Sequence, residues 1–312
     1  MAGERRCDLI VARLPWVVAI ATSGLCWPIG KHPRKNPAPP EKRSPRKVRV
    51  VAEIGENHLG DRARARDMVI AAARAGADIV KFQSYRGADV ASDDPEHEWF
   101  SQVELSDDAH HELAELARSN GVEFLSAPFS LERARFLVED LGCNMVKVAS
   151  SELTNKPLLE YLAHRARSVF LSTGMSYLDE VVAAVETLGA VDHLYVMHCT
   201  TEYPCPVDDA NLACITTLRH AFPDHHVGYS DHTIGTLALL AAVALGAEVV
   251  EKHFTLDKSL PGTDHVLSVT PDELAGLVAG VREVERLLGS LEKAPTEREL
   301  AIRDAVRQRF PK

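Results

Sequence analysis

The sequence predicts an α/β fold, a TIM (β/α)8 barrel. Two observations carry this. From Val48 onward, short β-branched runs alternate with amphipathic stretches eight times over, and eight such units in about 240 residues are the count and size of this barrel. The competing architecture, a doubly wound open sheet, calls for fewer strands or a GxGxxG fingerprint after the first one. Gly55-Glu56-Asn57-His58-Leu59-Gly60 is only a glycine-flanked turn.

The predicted strands, in order, are Arg49–Ile54, Asp78–Gln83, Glu123–Ser126, Asn144–Ala149, Ser168–Thr173, His193–Cys199, His226–Asp231 and Glu248–Phe254. Each is a four- to seven-residue run bounded by turn formers. The helices between them are expected over Ala63–Ala75, Asp107–Asn120, Leu131–Leu141, Pro157–Ala163, Leu178–Leu188, Asn211–Ala221 and Gly235–Leu245, with an eighth, Pro271–Leu288, after the last strand. Three helix ends run into Gly76, Gly121 and Gly246, where glycine supplies the left-handed cap. The barrel is thus expected over residues 47–290, followed by a tail or linker over residues 291–312.

Residues 1–46 read differently. They hold nine Lys/Arg against three Asp/Glu, leaving 26 against 42 in the rest of a chain whose net charge is -10. Leu14–Ile29 is mostly apolar behind Arg5, Arg6 and Arg13. It resembles a weak signal peptide with Ala19-Ile20-Ala21 as a poor cleavage site, and is too short and interrupted for a membrane span. Six prolines and several cations follow in residues 28–45, a composition that stays extended. A disordered or non-native N-terminal extension is the expectation, against a targeting segment. The acidic body excludes a general nucleic-acid binder. Cys7, Cys26, Cys143, Cys199, Cys205 and Cys214 show no metal-like spacing and read as reduced thiols of a cytoplasmic protein.

In a barrel of this type the chemistry sits at the C-terminal ends of the strands. Seven of the eight predicted strands end in functional-looking polar groups: Glu53, Gln83, Ser150 to Glu152, Ser172, Thr200 to Tyr203, His232 and His253 among them. Lys81 and Lys147 lie inside apolar runs, and burying an unpaired ammonium is unfavourable. Each therefore needs an anionic partner: a carboxylate such as Glu53 or Glu152, or a bound phosphate or carboxylate with Ser150, Ser172 and Ser230 as neutral donors. His232 and His253 end consecutive runs, with Ser230, Asp231 and Lys252 beside them. Either histidine alone reads as structural. Together, on neighbouring strands roughly 5 Å apart, they read as ligands of a divalent metal.

Seven motifs recur in order: Glu53-Ile54-Gly55-x-Asn57-His58-x-Gly60-Asp61, Lys81-Phe82-Gln83, Ser126-x-Pro128-Phe129, Ser172-Thr173-Gly174-Met175, His198-Cys199-Thr200, Tyr229-Ser230-Asp231-His232-Thr233 and Glu251-Lys252-His253-Phe254. On these the chain resembles the sialic acid synthase (N-acetylneuraminate synthase) family from Val48 to about Arg303. The resemblance implies condensation of phosphoenolpyruvate with N-acetylmannosamine or a related amino sugar, giving a nine-carbon 3-deoxy-2-keto sugar acid. It implies a divalent metal, Mn2+ first and Mg2+ or Co2+ after it, on His232 and His253. It places the phosphoenolpyruvate ligands on Lys81, Lys147, Ser150, Ser172 and Ser230. The sugar side falls on Gln83, Tyr203 and Asp264, with Glu53 and Glu152 as catalytic carboxylates. It also implies a homodimer.

Departures from the family pattern are Ala127 in place of a phosphate-side threonine, Thr201 in place of an asparagine, and a short segment Ser84–Glu104. The family's C-terminal antifreeze-like domain, which lends an arginine to the partner's sugar site, is not expected within residues 291–312. Two further readings stand beside this one: the same chemistry on a legionaminic, pseudaminic, spore-coat or secondary-metabolite precursor, and a non-catalytic barrel.

Overall fold

The computed structural model describes residues 47–310, so the expectations for residues 1–46 lie outside the described residues. Eight parallel strands form one sheet: β1 (Arg49–Gly55), β2 (Ile79–Ser84), β3 (Glu123–Pro128), β4 (Met145–Val148), β5 (Ser168–Ser172), β6 (His193–Cys199), β7 (His226–Asp231) and β8 (Val249–His253). Neighbours run β3-β2-β1-β8-β7-β6-β5-β4, and β3 lies beside β4. The sheet therefore curls into the expected TIM barrel. Around it run α1 (Arg62–Arg74), α2 (His97–Val103), α3 (Asp107–Ser119), α4 (Leu131–Arg135), α5 (Lys156–Arg165), α6 (Leu178–Thr187), α7 (Ala213–Ala221), α8 (Leu237–Ala244) and α9 (Pro271–Leu288), with α10 (Glu297–Arg307) beyond them.

Local chemistry sets these boundaries. Asp61 caps α1 and Ser106 caps α3 through side-chain oxygens. α9 begins with Pro271 in a capping box between Thr270 and Glu273. Gly76, Gly121 and Gly246 all take positive φ. Three differences from the sequence reading stand out. α2 was not expected, because seven residues are too few to show a helical period. The helix expected over Leu131–Leu141 widens into a π-helical turn at Phe136–Asp140. The segment read as tail or linker holds α10, whose capping box, Thr296 with Glu299, is present in the sequence.

The barrel interior is layered by the two-residue period of its strands. At the floor, Val51, Ile79, Leu125, Phe170, Met197 and Val249 form a closed apolar cluster. Two residues further along, Glu53, Lys81, Lys147, Ser172, Cys199 and Glu251 line the cavity above it. The intervening residues face the helices, where Val50, Ala52, Val80, Val146, Val169, Val196 and Val250 join the main core. Gly228 occupies an interior position because nothing larger fits: a Cβ there would meet Val249 Cγ1 at 2.4 Å.

Candidate active site

A cavity of about 760 Å³ opens at the C-terminal ends of the strands. Eleven of the twelve site residues named from the sequence line it: Glu53, Lys81, Gln83, Lys147, Ser150, Ser172, Tyr203, Ser230, His232, His253 and Asp264. Glu152 does not. It lies in the 3-10 turn Ser150–Glu152 after β4, and its carboxylate accepts from Asn155 Nδ2 at 2.7 Å. That turn diverts it from the cavity, and its expected catalytic place there is corrected. Lys252 and Asp231 also turn away, as the strand period requires. They pair at 2.8 Å with no exposed side-chain surface, between the strands and the helix layer.

At the cavity base, Glu251 of β8 ties two lysines together. Its Oε1 lies 3.0 Å from Lys81 Nζ, and its Oε2 lies 2.8 Å from Lys147 Nζ. Ser230 Oγ donates to Oε1 at 2.9 Å. Glu53 Oε1 stands 3.2 Å from Lys81 Nζ, while Glu53 Oε2 is buried without a partner. Burial alone raises a carboxyl pKa, but Lys147 and Lys81 outweigh it and hold Glu251 well below the usual range. For Glu53 burial wins over Lys81, and its carboxyl is pushed up to about 7. Lys81 is buried too, yet Glu251 and Glu53 keep it charged. Burial depresses Lys147. Two lysines and two carboxylates, Glu251 and Glu53, thus meet at the cavity base, with Glu251 alone reaching both amines.

The two histidine rings lie 5.4 Å apart between centroids, and the Tyr203 ring is 4.0 Å from that of His232. His232 Nδ1 is 2.6 Å from the Thr200 carbonyl oxygen. A carbonyl only accepts, so Nδ1 carries the proton and Nε2 keeps a lone pair. Burial, then the charge of His253, holds His232 down to about 4. Burial, then Lys81, holds His253 down to about 3. His253 Nδ1 is buried without a hydrogen-bond partner, with Asp264 Oδ2 3.3 Å away. Among the described residues no three His, Cys, Asp or Glu side chains form a ready-made cage. Two neutral imidazoles with free lone pairs do fit an open site, in which water or substrate completes the coordination.

Above them the wall comes from loops. α2 contributes Trp99 and Phe100, and the turn after β1 contributes Glu56. Trp99 Nε1 donates to Glu56 Oε2 at 2.6 Å, and burial lifts the Glu56 carboxyl to about 7 despite that bond. Gly174 allows a close approach, since a Cβ there would lie 2.2 Å from Thr201 Oγ1 and 2.8 Å from Ser150 Oγ. Other motif residues are structural. Asn57 Nδ2 donates to the Phe254 carbonyl and to Ser268 Oγ, both at 2.9 Å. His198 Nε2 meets the Ala210 carbonyl at 2.8 Å.

The model of the family described as "NeuB family" matches residues 68–293. The chain belongs to the NeuB family. It is 41% identical over 280 residues to the N,N'-diacetyllegionaminic acid synthase of Legionella pneumophila, covering 83% of this chain and 78% of that protein. It is 36% identical over 272 residues to the N-acetylneuraminate-9-phosphate synthase of Homo sapiens, covering 82% and 76%. The crystal structure of the N-acetylneuraminic acid synthetase of Leptospira borgpetersenii superposes with a TM-score of 0.79 at 32% identity, covering 85% of this chain and 94% of that one. This NeuB-family chain is accordingly an enzyme of the phosphoenolpyruvate-dependent condensing class.

Sequence reasoning passed over Glu251, Glu56 and Trp99. For Glu251 the signal was present: it stands two residues before His253 in an apolar run, so it must face the same way. For Glu56 and Trp99 there was none, because their pairing joins the turn after β1 to α2, 43 residues away.

Proposed function

We propose that this NeuB-family enzyme condenses phosphoenolpyruvate with an N-acylated amino sugar, N-acetylmannosamine or a relative. The products are a nine-carbon 3-deoxy-2-keto sugar acid and phosphate. The observation that carries this reading is the pair of buried ammonium groups, Lys81 and Lys147, sharing the single carboxylate of Glu251. Two lysine amines beside the hydroxyls of Ser150, Ser172 and Ser230 at a cavity base make a donor set suited to an anion.

In this reading the enol carbon attacks the sugar aldehyde, and a C–C bond forms as the aldehyde oxygen takes a proton. Water adds to the cationic carbon left behind, losing a proton, and phosphate leaves from the tetrahedral centre. Glu53, with one oxygen free and its carboxyl titrating near neutrality, accepts the proton of that water. Gln83, Tyr203 and Asp264 orient the sugar. Glu152 is left out, because its carboxylate is engaged by Asn155 outside the cavity. A divalent ion on His232 and His253, Mn2+ before Mg2+ or Co2+, supplies Lewis-acid polarisation of the aldehyde when bound. A homodimer in the cytoplasm belongs to the same proposal; the four described cysteines are free thiols, and none of the described helices is long and apolar enough to cross a membrane.

A diacetamido sugar of the legionaminic type is the second reading. It is favoured by the higher identity to the Legionella enzyme and by the apolar surfaces of Trp99, Phe100, Phe129 and Met175 along the cavity. The test is phosphate release from phosphoenolpyruvate with Mn2+ across a panel of sugar aldehydes, with the sugar acid weighed by mass spectrometry. One phosphate per sugar acid is expected. If phosphoenolpyruvate is not consumed with any sugar, the reading fails.

A further inference from the structure

We infer that Glu56, held in place by Trp99, selects the acceptor, and that the acceptor it selects is an uncharged amino sugar without a phosphoryl group. This rests on the condensation proposed above and goes on to name its sugar.

Charge in the cavity is divided by depth. Among the described residues its cationic lining is Lys81 and Lys147, both on strands and both engaged by Glu251. Among the described residues no arginine lines it. The loops beyond the strand ends contribute carboxylates instead: Glu56 after β1, Glu96 at the start of α2, and Asp264 after β8. A phosphomonoester on the sugar would meet these carboxylates with no ammonium or guanidinium left to receive it, although anion recognition runs through such charge-assisted bonds. Protonation of Glu56 removes one negative charge and supplies no positive one. An uncharged sugar meets the same wall as a set of acceptors for its hydroxyl and amide N–H groups.

Glu56 is the most firmly placed of the three. Trp99 Nε1 donates to its Oε2 at 2.6 Å, and Tyr85 OH approaches Oε1 at 3.5 Å. Trp99 is itself seated against the loop that carries Asp264: its ring carbons lie 3.4 Å from where a Cβ on Gly262 would stand. Trp99 is thus a positioning residue, coupling Glu56 to both loops, and it offers an apolar face to a sugar C–H surface or an acyl methyl group.

The test compares kcat/KM for N-acetylmannosamine, N-acetylmannosamine 6-phosphate and 2,4-diacetamido-2,4,6-trideoxymannose, with phosphoenolpyruvate and Mn2+ saturating. The parent should use the 6-phosphate on the order of 100-fold less well than either uncharged sugar. Glu56→Gln should raise the KM of the uncharged sugars about 10-fold, leave the phosphoenolpyruvate KM unchanged and narrow the gap to the 6-phosphate. Trp99→Phe keeps the ring and loses the donor, so it should raise the sugar KM in the same sense with phosphoenolpyruvate KM unmoved. A preference for the 6-phosphate, or an unchanged sugar KM in Glu56→Gln, overturns the inference and leaves the condensation standing. Absence of turnover with every sugar overturns the condensation and the inference together.

Discussion

Replacing Glu251 by Gln removes the one carboxylate shared by two buried lysines. The consequence follows from the distances. Glu53, 3.2 Å from Lys81 Nζ, remains as a second partner for that lysine. Its carboxyl is raised first by burial, and the charge of Glu251 adds to the rise, so losing Glu251 lets Glu53 ionise and take over Lys81. Lys147 has no such reserve: its remaining neighbour is Met197 Sδ at 3.6 Å, a weak acceptor. Breaking a buried pair from one side costs about 3–5 kcal/mol. With Glu53 compensating for one lysine, the lower end applies, about 3 kcal/mol. A chain of this size loses about 2–4 °C per kcal/mol, so ligand-free Glu251→Gln should melt about 6–12 °C below the parent by calorimetry. Saturating phosphoenolpyruvate should raise the melting temperature of the variant more than that of the parent, because an anion then supplies the missing charge. A variant melting within about 2 °C of the parent, with the same response to phosphoenolpyruvate, would refute the charge sharing at the centre of the site.

Three further outcomes are expected. Glu53→Gln should gain stability relative to the parent as pH rises from 4.5 to about 7. The unfolded carboxyl loses its proton near 4.5 while the folded one keeps it to about 7, so the parent loses stability across that window, on the order of 2–3 kcal/mol in denaturant titrations. Lys147→Met should raise the phosphoenolpyruvate KM at least 10-fold while costing only about 1–2 kcal/mol, since Glu251 keeps Lys81 at 3.0 Å and Ser230 at 2.9 Å; unchanged phosphoenolpyruvate binding by calorimetry would remove Lys147 from the anion site. His253→Ala should abolish Mn2+ binding in titration calorimetry and leave the far-ultraviolet circular dichroism intact, whereas full activity of the EDTA-treated parent would sink the metal assignment.

Much of this was legible in the chain. Lys81 and Lys147 announce themselves because an ammonium inside an apolar strand demands a partner, and His232 and His253 because they end neighbouring runs. Glu152 misled, since a residue three positions past a strand can be turned anywhere by the loop that follows, and here a 3-10 turn directs it to Asn155. Asp264 apart, the mouth of the cavity was not legible. α2 is too short to show a period, and the Trp99–Glu56 bond depends on how α2 and the turn after β1 fold over the strand ends.

The sequence by itself determined the barrel and the floor of its cavity, because a strand's two-residue period and a helix's 3.6-residue period are local properties that every residue reports. It also determined the family, through motifs that keep their order along the chain. Only the tertiary structure decided which carboxylate neutralises which lysine, that Glu251 rather than Glu152 does so for Lys147, and that Glu56 and Trp99 meet on the cavity wall. Those outcomes turn on distances between strands and loops far apart in the chain. Coulombic and hydrogen-bond energies fall steeply with such distances, and nothing local to either partner encodes them.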